Sequence, residues 1–202
     1  MKIEKFKFRN AIISDSKELS NAESEIFPLD KVNTNFFKEI NKETKKIFIC
    51  SFENFKIERL SFLSKINQLI LEKINDLKKT SSNKRKLNYS ENIIVGYVKI
   101  WNVMEESHVE QIGVLNNFRH QGIGEKLLLL SIKYCKDNGS KKILLECRKS
   151  NSSAISLYKK YMFKITSVRK NYYPFNNSRE DALCFESPDI TTDIYYNKFL
   201  IN

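Results

Sequence analysis

The sequence predicts an α/β fold with a mixed, mainly antiparallel sheet and helices on both faces. Two strand-like runs, NIIVGYVKIWNV (residues 92–103) and SHVEQIGVL, are joined by the polar turn MEES, a connection short enough to favour antiparallel pairing. The second run is followed by an amphipathic helix and then by KKILLEC, so strand, helix and strand succeed one another as a parallel crossover requires. Two more runs, KITSVRK and ALCFES, complete the sheet. At 202 residues the chain is long enough for one domain with a proper core. The expected organisation is a single domain over residues 1–202, with a helical basic insertion at about 55–92 and a C-terminal tail at 188–202.

From the N-terminus, FKFRNAII (6–13) alternates as a half-buried strand does, and SDSKELSNAESEIF follows as a helix capped by Ser or Asp. Pro28 in IFPLD interrupts the chain. A short helical stretch, TNFFKEINKE, leads into KIFICSF (46–52), a strand by its β-branched and aromatic content. The glycine-free, lysine-rich block at about 55–92 breaks this rhythm. Within it Phe62, Leu63, Ile66, Leu69, Ile70, Ile74 and Leu77 recur at helical steps, and the polar KKTSSNKRKLNYSEN follows. The block reads as an insertion packed by one helix face, with its charges solvated and contact with the ribosome as the alternative use.

The next helix, 122–138, carries Ile123, Leu127, Leu128, Ile132 and Cys135 on one face and ends at Gly139, a residue suited to the left-handed position after a helix. KKILLEC is continuously apolar, as an interior strand is. SNSSAISLYKKYMF opens on Asn151 or Ser152 as cap, with Ala154, Ile155, Leu157 and Tyr158 in its apolar portion. Between KITSVRK and ALCFES lies an aromatic loop, NYYPFNNSRED, and Tyr195, Tyr196, Phe199 and Leu200 give the tail an apolar side to dock.

Composition narrows the function classes. No run approaches the roughly 20 apolar residues that cross a bilayer, and MKIEKFKFRNAII lacks the apolar core and cleavage site of a secretory signal, so a cytoplasmic protein without a membrane partner is expected. Cys50, Cys135, Cys147 and Cys184 form no CxxC pair, and neither His108 nor His120 has ligand-spaced partners, so no metal is expected. The net charge of +11 comes from 35 Lys and Arg against 24 Asp and Glu. Most of the excess is lysine in a chain also rich in Asn and Ile, a bias that an AT-rich genome produces, so charge points to anionic partners in general and to no specific nucleic acid.

The most informative stretch is VEQIGVLNNFRHQGIGEKLLLL (109–130). Its RHQGIG fits the pattern Arg/Gln-x-x-Gly-x-Gly/Ala. Gly122 and Gly124 lack a Cβ, so a phosphate can approach the backbone, and the helix opening there offers unpaired N–H groups at its positive end. Many helices begin after glycine, so this hexapeptide by itself specifies only an anion cradle. It is neither the three-glycine dinucleotide fingerprint nor a GKS or GKT phosphate loop.

Three blocks, IGVLNNFRHQGIGEKLL, LLLECRKSNSSAISLYKKYMF and RKNYYPFNNSREDAL, occur in the order and spacing of GNAT-type N-acetyltransferases. They resemble most the ribosomal-protein-alanine acetyltransferase (RimI) branch and cover about residues 109 to 185. The resemblance implies the GNAT fold, with the sheet splayed near Ile112 to admit a coenzyme. It also implies acetyl transfer from acetyl-coenzyme A to the amino group of a protein N-terminus, foremost the alanine of a small-subunit ribosomal protein. Backbone groups of Ile112, Gly113 and Val114 would meet the pantetheine arm and thioester. Amides around His120, Gln121, Gly122, Ile123, Gly124 and Glu125 would hold the pyrophosphate, and Asn151 would hydrogen-bond the pantetheine. Glu146 matches the family's proton acceptor and Tyr158 its general acid. Phe27, Pro28 and Leu29 match one wall of the peptide groove, and Tyr172 and Tyr173 lie in the loop that forms the other. Arg179, Glu180 and Asp181 either fix that loop or read the peptide.

Physical chemistry fits these roles. An α-amine, with a pKa of about 7.7 to 8.0, is partly free base near neutrality, so a modest base suffices. Each residue also has an ordinary structural reading: Glu146 as a partner for Arg148, Tyr158 and Cys147 as core, Tyr172 or Tyr173 as a loop anchor. The chain departs from the family at Glu125, where Arg or Lys is common, at Met162, which replaces a glycine, and in the 55–92 block. Broader protein N-terminal or small-molecule amine acetylation is the alternative activity. A non-catalytic coenzyme- or ribosome-binding module is the alternative class, against which the presence of Glu146, Asn151 and Tyr158 together argues.

Overall fold

The structure, a computed structural model, describes residues 6–30, 32–52, 93–175 and 177–199. Its strands are β1 (Phe6–Asn10), β2 (Lys45–Phe52), β3 (Ile93–Val103), β4 (Glu106–Val114), β5 (Lys142–Arg148), β6 (Lys164–Phe175) and β7 (Ser178–Glu186). The helices are α1 (Ser16–Ile26), α2 (Phe36–Ile40), α3 (Ile123–Asp137), α4 (Ser152–Lys160) and α5 (Asp193–Phe199). The described strands form one sheet in the order β1-β2-β3-β4-β5-β7-β6. All neighbours are antiparallel except β4 and β5, which the α3 crossover joins in parallel. The expected mixed, mainly antiparallel architecture is therefore present.

The chain divides into two units, Met1–Phe52 with Ile93–Asn202, and Glu53–Asn92. The expected basic insertion at about 55–92 lies outside the described residues. Among those described, no helix is long and apolar enough to cross a membrane.

Strand alternation decides which helix covers which face. On β3, Tyr97 turns to one side and meets Phe27 and Phe36 at ring distances of 6.3 and 5.6 Å, so α1 and α2 cover that face. Gly96 turns to the other, where a Cβ would lie 3.3 Å from Ile123 of α3. The α1 face buries Leu19, Ala22 and Ile26, and α3 buries Ile123, Leu127, Leu128, Ile132 and Cys135, the stripe its sequence predicts.

Both of these helix caps follow sequence logic. Gly139 takes φ +83° after α3, and the Gly139 and Ser140 N–H groups donate back to Lys136 and Cys135. Asn151 caps α4, its Oδ1 accepting from the Ala154 N–H at 3.1 Å. After α4 the same closing motif recurs on Met162, at φ +63°, with Met162 N–H donating to Lys159 and Phe163 N–H to Tyr158. The turn that glycine would make is thus made by methionine.

Two boundaries differ from expectation. The first strand stops at Asn10, because Asp15 closes a turn by accepting from the Ile12 N–H at 2.8 Å and from both terminal nitrogens of Arg9 at 2.6 and 2.8 Å. More consequentially, the aromatic segment carrying Tyr172 and Tyr173 is not a loop: β6 runs through it to Phe175. Pro174 is tolerated because β6 is the edge strand of the sheet. Asn171, at φ +50°, takes up a register shift between Arg169 and Tyr173. The tail docks through α5, where the buried Tyr195 donates its hydroxyl to the Tyr161 carbonyl at 3.0 Å.

Candidate active site

The β4–β5 ladder runs from Glu106↔Lys142 to Val109↔Leu145 and stops. β4 continues to Val114 paired only with β3, and β5 continues to Arg148 paired only with β7. A V-shaped notch therefore opens at Ile112, Gly113 and Val114, the residues expected to face a pantetheine arm. Gly113 has a packing reason as well: a Cβ there would run into Ile26 and come within 3.0 Å of Phe27.

The chain then leaves β4 through a short 3₁₀ turn, Asn116–Phe118, and enters α3 through two left-handed residues, His120 at φ +59° and Gly122 at φ +79°. Arg119 ties this loop back to the strand, its Nε donating to the Val114 carbonyl at 3.0 Å. The first helical bond is Lys126 N–H to the Gly122 carbonyl at 3.0 Å. The N–H groups of Ile123, Gly124 and Glu125 therefore have no acceptor among the described residues, and they stand at the positive helix end. A Cβ on Gly122 would meet nothing within 4 Å, so the backbone there is bare. The Ile123 side chain is core, which leaves only its amide for a ligand. Gln121 donates to the Asn117 carbonyl at 3.4 Å.

Glu125 does not put its carboxylate into this cradle. It accepts from Lys160 Nζ and from the Tyr161 hydroxyl, both at 2.5 Å. These hydrogen bonds, Lys160 first, hold its carboxyl below the usual glutamate value. Asn151 stands exposed at the start of α4, with its Oδ1 committed to capping.

Glu146 and Tyr158 flank β5 from opposite faces. Alternation buries Ile143, Leu145 and Cys147 and turns Glu146 and Arg148 to the other side. Tyr158 is 2% exposed, with the Phe163 and Phe185 rings at 6.1 and 5.4 Å, and it faces the Cys147 thiol. Burial raises its hydroxyl above the ordinary tyrosine value, so it stays protonated at neutral pH. No described residue hydrogen-bonds that hydroxyl.

The partner of Glu146 is not Arg148. The Glu146 carboxylate lies 3.2 Å from the Arg169 guanidinium and 4.0 Å from the Cys184 thiol, with the Tyr172 hydroxyl on the same side. Interaction with Glu146, and burial after it, raise the Tyr172 hydroxyl. Tyr173 is raised as well, by burial first and by Glu146 second. The two tyrosine rings meet edge to face at 5.0 Å. Arg179 donates to the Asn171 and Tyr172 carbonyls, and Asp181 accepts from the Asn171 N–H at 3.1 Å. Both therefore fix the bulge that carries these tyrosines.

Phe27, Pro28 and Leu29 follow α1 directly, and Leu29 is 43% exposed. Glu23 holds both ends of this segment. Its carbonyl accepts from the Phe27 N–H, and its carboxylate accepts from the Thr34 N–H and hydroxyl and from Gln111 Nε2. Sequence reasoning passed over Glu23, although a glutamate in the apolar phase of Leu19, Ala22 and Ile26 was a usable signal. It also passed over Asp30, Arg169 and the role of Arg148. Among the described residues no cluster could hold a metal ion.

Comparison with known proteins agrees with this geometry. Residues 53–163, more than half of the chain, match the family described as "Acetyltransferase (GNAT) family", and the chain belongs to it. It is 36% identical over 86 residues to the ribosomal protein bS18-alanine N-acetyltransferase of Escherichia coli K12. That match takes in 43% of this chain and 58% of the relative, so the chain spans little more than half the length of the curated protein it resembles. The crystal structure of the E. coli ribosomal-protein-S18-alanine N-acetyltransferase superposes with a TM-score of 0.66 at 20% identity, covering 93% of this chain and 95% of that one. Arabidopsis thaliana NAA60 in complex with acetyl-CoA superposes at 0.64 with 18% identity, over 90% and 97% of the two chains. These superpositions establish the GNAT fold.

Proposed function

We propose that this chain is an N-acetyltransferase that moves an acetyl group from acetyl-coenzyme A to the α-amino group of a protein N-terminus. An N-terminal alanine, as in a small-subunit ribosomal protein, is the foremost acceptor. The observation that carries the reading is the notch where β4 leaves β5, with Glu146 on one side of β5, Tyr158 on the other and a bare helix N-terminus beyond.

The residues fit the coenzyme. The free amides of Ile123, Gly124 and Glu125, beside the open backbone of Gly122, suit a pyrophosphate. The unpaired edge of β4 at Ile112–Val114 suits an amide-bearing arm, and Asn151 keeps its Nδ2 free of the capping bond. Bound there, acetyl-coenzyme A supplies the acyl group as an activated thioester.

Glu146 takes the proton that the amine sheds as it becomes a nucleophile, directly or through a water. Arg169, 3.2 Å away, pairs with the carboxylate and orients it toward the hairpin side. Tyr158, kept protonated by burial, offers its hydroxyl hydrogen to the departing sulfur. Phe27, Pro28 and Leu29 on one side and Tyr172 and Tyr173 on the other supply apolar walls with hydroxyls at their rim, suited to a peptide backbone. The likeness to the bS18-alanine acetyltransferase, at 36% identity, supports a protein N-terminus as acceptor.

The test is an acetylation assay of the full chain with acetyl-coenzyme A and short peptides beginning with Ala, Met or Ser, beside free lysine and polyamines. The expected result is thiol release with a mass gain on the α-amine of the Ala peptide. Acetylation of the small amines alone would refute the peptide reading, and silence with every amine would leave a non-catalytic module.

A further inference from the structure

We propose that Arg148 is a positioning residue that sets the spacing of the two acceptor walls, acting through Asp30 on one wall and Glu180 and Pro174 on the other. The inference rests on the peptide-acceptor reading above and deepens it.

Arg148 is the last residue of β5 and shares the Glu146 face. Its guanidinium makes an ion pair with Asp30, which directly follows Phe27–Pro28–Leu29. Its Nη1 donates to the Pro174 carbonyl at 2.9 Å and lies 3.5 Å from the Glu180 carboxylate. The guanidinium plane also sits 4.6 Å from the centre of the Tyr173 ring. One side chain thus touches the segment after α1, the β6 strand that carries both tyrosines, and β7. The three acidic and basic side chains are 14–18% exposed, so water screens these contacts only partly.

Asp30 lies 118 residues before Arg148, and among the described residues no backbone pairing joins its segment to the hairpin. The guanidinium is therefore a direct tie between the walls. A planar fork is what such a tie needs, because it can satisfy a carboxylate on one edge and a carbonyl on another while stacking on an aromatic face. Glu180 extends the tie toward the coenzyme side, since its other oxygen accepts from the Ser150 N–H at 2.5 Å, one residue before the Asn151 cap. Burial raises the Glu180 carboxyl, and the hydrogen bonds from Ser150 and Arg148 more than offset that, so it is held ionised as the tie requires.

A wall that is free to drift loses affinity for an acceptor that spans both walls and loses little for one that touches neither. The test is steady-state kinetics of the full chain with an alanine-initiated tetrapeptide and with alaninamide, a single-residue acceptor. Asp30→Ala is expected to raise the tetrapeptide KM about tenfold or more, with less than a threefold rise for alaninamide and an acetyl-coenzyme A KM within twofold of wild type. Asp30→Glu, which keeps the charge, recovers most of the loss. Arg148→Lys keeps a charge without the fork and falls between. A tetrapeptide KM within twofold of wild type in Asp30→Ala overturns the inference, and so does a parallel rise in all three KM values, the mark of general loosening. If wild type itself ignores the tetrapeptide, the peptide reading has failed and takes this inference with it. An active wild type with an indifferent Asp30→Ala removes the inference alone.

Discussion

The two glycines of RHQGIG are separated by one residue, yet the same substitution is expected to act on them with opposite signs. Gly122 sits at φ +79°, where an L side chain costs about 1–2 kcal/mol. Alanine recovers about 0.4–1 kcal/mol by restricting the unfolded chain, so Gly122→Ala should lose about 1 kcal/mol net. No steric clash adds to this, because a Cβ there meets nothing within 4 Å. Gly124 lies inside the first turn of α3, and its Cβ would stand 3.8 Å from Val114 Cγ2, an ordinary contact. Alanine is the better helix former by up to about 1 kcal/mol, so Gly124→Ala should gain part of that. For a chain of this size, 1 kcal/mol moves the melting temperature by roughly 2–4 °C. Thermal unfolding of the ligand-free proteins, followed by far-ultraviolet circular dichroism, should give Gly122→Ala about 2–4 °C below wild type and Gly124→Ala at or slightly above it. A Gly122→Ala protein as stable as wild type, or a loss for Gly124→Ala as large as for Gly122→Ala, would refute the left-handed entry into α3.

Tyr158→Phe and Glu146→Gln should each lower kcat on the order of 100-fold in the peptide assay. Because no described residue bonds the Tyr158 hydroxyl, Tyr158→Phe should keep its melting temperature; a large drop would recast the tyrosine as structural. Gly113→Ala forces a Cβ into Ile26 and Phe27 and should cost about 1–3 kcal/mol, seen as a lower urea midpoint; an unchanged midpoint would mean that the end of α1 yields freely. Burial raises the Asp15 carboxyl, but the Arg9 fork and the Ile12 N–H more than offset this and leave it below its ordinary value. A depressed carboxyl adds stability above its unfolded pKa of about 3.9 and loses it as pH falls through the folded value. Asp15→Asn should therefore melt lower than wild type at pH 7, with the gap narrowing once pH falls below the unfolded value and closing as the folded carboxyl takes up its proton. A gap that persists in acid would point to lost packing instead.

Elements whose reasons are local could be read from the chain. The apolar stripe of α3, the glycine stop at Gly139, the Asn151 cap and the notch-forming order of β4, α3 and β5 all follow from residues within a few positions of one another. The β6 strand was obscured because Asn171 and Pro174 carry turn signals, and only the edge position of β6 and a register shift make them compatible with a strand. Glu146 can be singled out from the chain as a candidate base, but its surroundings cannot. Arg169 and Tyr172 reach Glu146 across the hairpin, and Arg148 finds Asp30 rather than its near neighbour. Such partners are fixed by strand register, which a single sequence specifies only weakly. Glu125 shows the converse case. Its side chain reads as misplaced beside a phosphate cradle, but Lys160 at the end of α4 and Tyr161 just after it turn it aside.

The ladder between β4 and β5 gives the molecule a mechanical asymmetry. Four residue pairs, Glu106↔Lys142 to Val109↔Leu145, with the Lys141 N–H to Glu105 carbonyl bond just beyond them, make the backbone seam that joins β1–β4 to β5–β7–β6. Each half is a meander or hairpin knit by antiparallel neighbours, while the seam between them depends on the loop entropy of the α3 crossover being recovered by few bonds. The sheet is therefore two well-paired plates joined along a short seam, and the seam ends at the mouth of the notch. Amide exchange along that line would be governed by the opening of the seam rather than by the stability of either plate.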